Sequence, residues 1–175
     1  MFEQVLPRRL ASWVAAEPDW EQVYAEQLPR VLNFFRYRLG NTADAEDLTA
    51  RTFEKAWRAR DRYRRDVAGL ATWLLTIARN VAIDHVRAHQ RHEPLDAAAA
   101  VPSADHTPEQ QALQNADAQR LAALLATLSP RERELIAMKY GAEMTNRAIA
   151  RATGLTESNV GTILHRAVES LRVRW

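Results

Sequence analysis

One helical face in the middle of the chain carries side chains that can read nucleic acid. Asn80, Asp84, Arg87 and Arg91 follow one another at steps of four, three and four residues, so a helix places them on one side. Asparagine and arginine are the side chains that contact base edges and phosphates. The alternative is a solvated face on which Asp84 pairs with Arg87. The spacing alone leaves both interpretations open.

Aromatic side chains stand among arginines close to this face. Tyr63 and Trp73 lie near the start of the same helix, and the intervening and neighbouring residues include Arg60, Arg62, Arg64 and Arg65. Aromatic rings beside cations suit unstacked, single-stranded bases. The alternative is that Trp73 belongs to the hydrophobic core.

The segment from Asn146 to Ile163 has the spacing of a helix-turn-helix. Ala150 is small enough to let two helices cross closely, Gly154 supplies the positive φ of the turn, and Val160 anchors the second helix. The outward residues of the second helix can then enter a major groove, and they are Ser158, Asn159, Gly161, Thr162 and Arg166. The alternative is a helical hairpin with a glycine corner.

Three histidines share another helical face but lack the partners that a metal site needs. His85, His89 and His92 follow at i, i+4 and i+7, and Glu93 is the one carboxylate at ligand spacing. We therefore expect exposed polar residues here and predict neither a metal nor a cofactor. The sequence also shows no nucleophile–base arrangement, glycine-rich phosphate loop or convergent carboxylate pair, so we do not expect an enzyme.

The composition of the chain excludes several classes of protein. The chain has 175 residues, 47% of them hydrophobic, with five glycines and no cysteine. It can bury a core, it cannot be a disulfide scaffold, and a β-rich fold with many tight turns is not expected. No apolar run approaches the roughly 20 residues of a membrane span, and the N-terminus does not resemble a secretion signal. We expect a cytoplasmic protein without a membrane span.

Helical periodicity on both sides of a proline- and alanine-rich segment predicts the organisation of the chain. Leu28, Val31 and Phe35 recur at helical steps, and the sequence SPRE at 129–132 has the form of a helix start. The fold class is therefore all-α, with two small helical domains joined by a flexible linker and a helix-turn-helix in the C-terminal domain. The predicted boundaries are 1–91, 92–108 for the linker, and 109–175. The linker composition favours domains that move independently.

Two separated stretches resemble the extracytoplasmic-function (ECF) sigma factors of bacterial RNA polymerase. DAEDLT at 44–49, FEKAW at 53–57 and TWLLTIARNVAID at 72–84 are similar to the family's region 2. LSPRERE at 128–134, GLTESNV at 154–160 and LHRA at 164–167 are similar to its region 4. The matching segments stand in the family's order, on either side of a linker, and the joint match is more specific than any single motif.

The resemblance implies a transcription initiation factor that binds core RNA polymerase and promoter DNA, with an anti-sigma factor as a further candidate partner. In the family, region 2 binds the polymerase and reads the melted −10 element, and region 4 reads the −35 duplex. Carried over, the polymerase contact would consist of Asp44, Glu46, Asp47, Leu48, Phe53 and Trp57. The −10 contact would consist of Tyr63, Trp73, Asn80, Asp84 and Arg87, and the −35 contact of Ser158, Asn159, Thr162 and Arg166.

The chain departs from the family pattern at a few positions. Ala50 and Arg51 stand where the family usually has Gln-Glu, which reverses a charge beside the expected polymerase contact. Gly161 and Ile163 stand where basic residues are common, so fewer phosphate contacts are expected there. The rival hypothesis is a stand-alone helix-turn-helix regulator that never binds polymerase. The acidic turn from Asp44 to Asp47 favours the sigma factor, because a repressor has no use for it.

Overall fold

The computed structural model describes residues 18–40, 42–65, 67–90 and 108–175, and these are helical without a strand. The N-terminal half contains α1 (Trp20–Leu39), α2 (Thr42–Arg58), a short 3-10 helix (Arg60–Arg62) and α3 (Leu70–Gln90). The C-terminal half contains α4 (Pro108–Ala126), α5 (Pro130–Ile136), a π-helical turn (Ala137–Gly141), α6 (Asn146–Thr153) and α7 (Glu157–Arg174). The predicted all-α class is confirmed. No helix in the described ranges is long and apolar enough to cross a membrane.

Local sequence signals determine where several helices begin and end. The Ser129 hydroxyl accepts a bond from the Glu132 amide, and the Glu132 carboxylate accepts one from the Ser129 amide, so the predicted capping box is present. Gly40 and Gly154 end α1 and α6 with φ of 75° and 74°, a region that glycine enters without steric cost. Thr145 and Thr156 cap α6 and α7 through their hydroxyls. These caps delimit the predicted helix-turn-helix, which is confirmed.

The two halves share one continuous hydrophobic core. Phe34 and Phe35 of α1, Leu75 of α3 and Met138 of the π-helical turn are fully buried in the same cluster as Ile149. Gly141 lies close to the backbone of α1, since a Cβ atom there would lie 2.8 Å from the backbone oxygen of Asn33. This packing differs from the expected independent movement of the domains, because apolar faces of α1 and of the π-helical turn cover each other. The predicted linker lies, apart from Pro108, outside the described residues.

Arginine side chains of each half donate hydrogen bonds to backbone carbonyls of the other half. Arg30 of α1 donates from Nε to the carbonyl of Ala142 at 2.9 Å and from Nη2 to that of Glu143 at 3.1 Å. Glu143 has a φ of 54°, which non-glycine residues adopt at a steric cost, so Arg30 binds a constrained turn. Arg133 donates from Nε to the carbonyl of Tyr37 at 3.2 Å. Each arginine thus fixes backbone of the opposite half.

Candidate nucleic-acid interface

The first half of α7 presents a polar surface that its own buried side holds in place. Val160, Leu164 and Ala167 are buried, which turns the opposite side of the helix outward. The exposed side chains there are those predicted to meet the −35 duplex: Ser158, Asn159, Thr162 and Arg166. The Thr162 hydroxyl donates to the carbonyl of Ser158 at 3.1 Å. Hydroxyl, amide and guanidinium groups on one exposed helix can contact base edges and phosphates in a major groove.

Gly161 of α7, which stands where the family commonly has a basic residue, faces Asn146 at the start of α6. A Cβ atom at this position would lie 3.7 Å from Nδ2 of Asn146, an ordinary van der Waals distance. A small residue is therefore tolerated here but is not required by the geometry. Ile163 is half-buried and packs against the core, so its apolar side chain contributes to packing instead of adding a charge.

The predicted −10 face of α3 is exposed, and one of its residues pairs differently from the expectation. Asn80, Asp84 and Arg87 are exposed, whereas Val81 and Ala82 between them are buried. Asp84 Oδ2 lies 3.8 Å from Nζ of Lys55 on α2, so its salt bridge runs to the neighbouring helix. Arg91 lies outside the described residues.

An aromatic cluster stands beside the N-terminal end of this face. Trp73 packs edge-on against Trp20, with ring centroids 6.3 Å apart, and lies 5.2 Å from Tyr63. Trp20 also meets Trp57 at 5.8 Å, and the guanidinium of Arg60 lies 4.2 Å above the Trp57 ring. Trp73 is half-buried, so part of its ring packs against neighbouring side chains and part is exposed to solvent. The sequence left two interpretations of Trp20 open, a helix that docks on a partner or local core, and the structure places it between Trp57 and Trp73 in this cluster.

The acidic first turn of α2 is partly engaged within the chain. Glu46 and Asp47 are exposed, and Asp47 Oδ2 lies 2.9 Å from Nε of Arg51, one turn later. Leu48 is only 1% exposed, so it holds α2 in the core and its exposed neighbours must make any external contact. Phe53 is half-buried against Tyr24, at 4.7 Å between ring centroids, and Trp57 is 51% exposed. A partner would meet two carboxylates and an indole.

Asp44 meets two histidines of α3, a relationship between residues far apart in the chain. His85 Nε2 lies 3.5 Å from Asp44 Oδ2, and the His85 and His89 rings are tilted by 40° to each other with centroids 4.0 Å apart. Burial and the neighbouring His89 lower the pKa of His85, although Asp44 opposes this effect, so the ring is mainly neutral at pH 7. His92, the third histidine of the predicted face, lies outside the described residues. The sequence revealed the histidine spacing but not the carboxylate from α2.

Family models match both halves of the chain. The model for sigma-70 region 2 matches residues 23–92, and the model for sigma-70 region 4 matches residues 118–171. The two matches leave residues 1–22, 93–117 and 172–175 uncovered. The region 2 match covers the half that contains the α3 face, and the region 4 match covers the half that contains the polar surface of α7.

Curated relatives carry the same two regions in one chain. The chain is 29% identical over 164 residues to the ECF RNA polymerase sigma factor BldN of Streptomyces coelicolor, which covers 90% of this chain. It spans only 61% of the length of BldN. It is 32% identical over 172 residues to the ECF RNA polymerase sigma factor SigL of Mycobacterium tuberculosis, with 94% of each chain covered.

A solved structure has a similar fold. The sigma factor RpoE in complex with the anti-sigma factor NepR from Bartonella quintana superposes with a TM-score of 0.71. The two sequences are 23% identical, and the match covers 88% of this chain and 94% of the other. The similarity therefore concerns the arrangement of the helices in both halves.

Proposed function

Because the chain belongs to the ECF sigma factors of RNA polymerase, and is thus a polymerase-binding factor of transcription initiation, we propose which of its surfaces carry each task. The N-terminal half (1–91) would bind polymerase and the −10 element, and the C-terminal half (109–175) would bind the −35 element. We further propose that the factor acts in the cytoplasm and has no catalytic activity of its own. The observation that carries this assignment is that two separate polar faces, on α3 and α7, are exposed while the sides behind them are buried.

In the C-terminal half, the −35 duplex would receive the first turns of α7. Asn159 and Arg166 can donate to base edges and phosphates, and Ser158 and Thr162 can contact either. Helix-turn-helix proteins insert the N-terminal part of the second helix into the major groove, and here that part is exposed. Phosphate contacts would supply most of the affinity and make it dependent on salt.

In the N-terminal half, the melted −10 strand would lie along α3. The Asn80 amide can hydrogen-bond a base edge, and the positively charged Arg87 can contact the phosphates of the DNA strand. Trp73 and Tyr63 stand at one end of this face, where unstacked bases could pack against aromatic rings. The salt bridge of Asp84 adds the charge of Lys55 on α2 beside this face.

Core polymerase would bind the exposed acidic turn of α2. Asp44, Glu46 and Asp47 give this turn a negative charge, and Trp57 adds an exposed ring three turns later. Arg51 opposes the charge of Asp47, so the affinity for polymerase would be lower than with the family's usual Glu at that position. An anti-sigma factor is a further proposed partner, because the RpoE chain of similar fold is bound to one.

Promoter binding would require the two halves to separate. The names of the −10 and −35 elements place them about 25 positions apart on the DNA, or roughly 85 Å at 3.4 Å per base pair. A compact chain of this length has a radius of gyration of only about 16 Å. Since α3 packs beside α6 in the closed arrangement, the two faces cannot reach both elements together. The closed arrangement would therefore be a state of the free factor.

The experiment that tests the proposal is reconstitution with core RNA polymerase. We expect the purified chain to co-elute with core enzyme and to direct transcription from promoters selected from a random library. Distances between dyes on α3 and α7 should increase on binding. A chain that binds duplex DNA specifically but never co-elutes with core enzyme would support the rival, a stand-alone helix-turn-helix regulator.

A further inference from the structure

We propose that Asp44, His85 and His89 form a binding site for a divalent transition-metal ion such as Zn²⁺, held between α2 and α3. One ligand atom from each residue can be chosen so that all lie within 4.8 Å of one another. Imidazole and carboxylate groups are common Zn²⁺ ligands, and two histidines four residues apart on a helix point to the same side. The proposal does not depend on the roles assigned above to DNA or polymerase.

The separation between Asp44 and His85 suits two ligands of one ion. Their Oδ2 and Nε2 atoms lie 3.5 Å apart. Tetrahedral Zn²⁺ binds nitrogen and oxygen at about 2.0–2.2 Å, which places neighbouring ligand atoms about 3.4 Å apart. The ion can therefore enter between these side chains with only small rotations. His85 is half-buried, which limits the conformations that its ring can adopt.

His89 is oriented as a metal ligand by a bond to the backbone. Its Nδ1 atom lies 3.1 Å from the carbonyl oxygen of His85, one helical turn earlier. A carbonyl accepts, so Nδ1 carries the proton and Nε2 keeps its lone pair. Histidines that bind metals usually donate their second nitrogen to such an acceptor, which fixes the tautomer and the ring. The rings of His85 and His89 are tilted by 40° with centroids 4.0 Å apart, and one nitrogen of each lies within 4.8 Å of the other.

A bound ion would connect the acidic turn of α2 to the C-terminal part of α3. Three protein ligands leave at least one position for water or for another ligand. The ion would engage the Asp44 carboxylate and fix the angle between the two helices. The alternative, in which His85 simply hydrogen-bonds Asp44 and the His89 ring packs beside it, needs no ion.

Metal titration of the full-length chain distinguishes these alternatives. The metal-free protein is titrated with Zn²⁺ in competition with a chromophoric chelator, and with Co²⁺ while the visible absorption is recorded. We expect one ion per chain, an intense Co²⁺ spectrum typical of a four- or five-coordinate site, and a higher Tm with Zn²⁺. His89→Ala should weaken Zn²⁺ binding at least tenfold, because it removes one of three ligands. Asp44→Asn should do the same.

His165→Ala is the matched control, because His165 is exposed on α7 far along the chain from this cluster. It should bind Zn²⁺ as the wild type does, and circular dichroism should show all variants folded. His89 is exposed, so its replacement should not unfold the chain. Equal affinities for His89→Ala and His165→Ala would overturn the proposal. So would an affinity that falls only with His92→Ala, since the ion would then be held elsewhere.

Discussion

The Nε atom of Arg79 lies 2.9 Å from Oε1 of Glu134, and this ion pair joins α3 to α5 across the boundary between the two halves. The Glu134 side chain is 7% exposed, and its other oxygen lies 3.7 Å from Arg131. Nearby, burial lowers the pKa of Arg38, an effect that the charge of Glu134 opposes, and burial together with the charge of Arg38 lowers the pKa of Arg133. A buried carboxylate that loses its partner is costly, which makes the pair sensitive to substitution.

Arg79→Ala should weaken the closed arrangement of the two halves. Glu134 would keep Arg131 nearby, so we expect a loss of about 1–3 kcal/mol, below the cost of leaving a buried charge wholly unpaired. Denaturant unfolding measures the loss, and energy transfer between dyes on α2 and α7 measures the separation. Arg58→Ala removes an exposed pair with Glu54 and serves as the control, with an effect within about 0.5 kcal/mol. Equal effects of the two substitutions would contradict the role of Arg79.

Gly141→Ala should force α1 away from the π-helical turn. The new Cβ atom would lie 2.8 Å from the backbone oxygen of Asn33 and 3.1 Å from the backbone nitrogen of Phe34, and backbone cannot move aside cheaply. Overpacking of this kind costs about 1–3 kcal/mol. Thermal unfolding and the same dye distance report the change. A mutant with unchanged Tm and distance would show that the halves are not in contact in solution.

Gly161→Ala should stabilise the chain, whereas Gly141→Ala should destabilise it. The Cβ atom at this position meets Asn146 at an ordinary 3.7 Å, and Gly161 lies inside α7. Alanine in a helix interior is favoured over glycine by about 0.5–1 kcal/mol, so the free energy of unfolding should rise. Comparing Gly141→Ala with Gly161→Ala tests whether the change in stability depends on how closely other atoms approach the glycine or merely on replacing a glycine.

Signals within a few residues of each other predicted the helices well. The capping box at Ser129 and the glycine ends at Gly40 and Gly154 are present because caps and positive φ depend on local backbone chemistry. The helix that starts at this capping box changes to a π-helical turn after Ile136. That turn packs against α1, a contact that periodicity cannot reveal.

Contacts between distant residues were the part that the sequence could not predict. Asp44 and His85 are 41 positions apart, and Arg79 and Glu134 are 55 apart, so no spacing rule links them. The proline- and alanine-rich segment suggested independent domains because composition describes the connection and not the surfaces that it joins. The faces of α3 and α7 were predictable, since exposure on a helix follows from which neighbours are apolar.

Glu132→Ala should reduce stability in a manner that depends on pH. Its hydrogen bonds with Ser129 lower the pKa of the Glu132 carboxyl, so the folded state favours the ionised form. The stabilisation is therefore present above the ordinary pKa and is lost as the pH falls through the lowered pKa. We expect a cost of about 0.3–1.5 kcal/mol at pH 7 and a smaller one near pH 3. Glu132→Gln, which cannot ionise, is the control; a loss that does not vary with pH in Glu132→Ala would contradict the argument.

Asp47→Arg should weaken binding to core polymerase without unfolding the chain. Asp47 is exposed, and its pair with Arg51 contributes only about 0.3–0.5 kcal/mol to folding. Glu54→Arg makes the same change of charge later on α2, in a similar exposed pair, and is the control. Arg51→Glu should increase the affinity for core enzyme, because it removes the cation beside Asp47. Fluorescence anisotropy with core enzyme measures all three, and equal effects of Asp47→Arg and Glu54→Arg would refute the assignment.

Arg166→Ala should reduce affinity for duplex −35 DNA and the salt dependence of binding. Losing one phosphate contact lowers the slope of log K against log salt concentration by about one. Arg172→Ala removes an equal charge from the end of α7, where Arg172 pairs with Glu169, and should leave the slope closer to that of the wild type. Affinity is measured at several salt concentrations with isolated duplex DNA. If Arg172→Ala lowered the slope as much as Arg166→Ala, the first turns of α7 would not be the contact surface.

Asn80→Ala should impair recognition of a −10 base on an open strand and leave duplex −35 affinity unchanged. Asn80 is exposed on α3, and the −35 surface lies on α7, so the two effects should separate. Losing a good bidentate contact costs about 1–3 kcal/mol for the preferred base. Reconstituted holoenzyme is tested on pre-melted templates that carry each of the four bases at every position of the −10 element. We expect the defect to persist on these templates and to depend on the base at one position, where the mutant no longer distinguishes the four bases. A uniform loss for every base would identify Asn80 as a solvated polar residue that reads nothing.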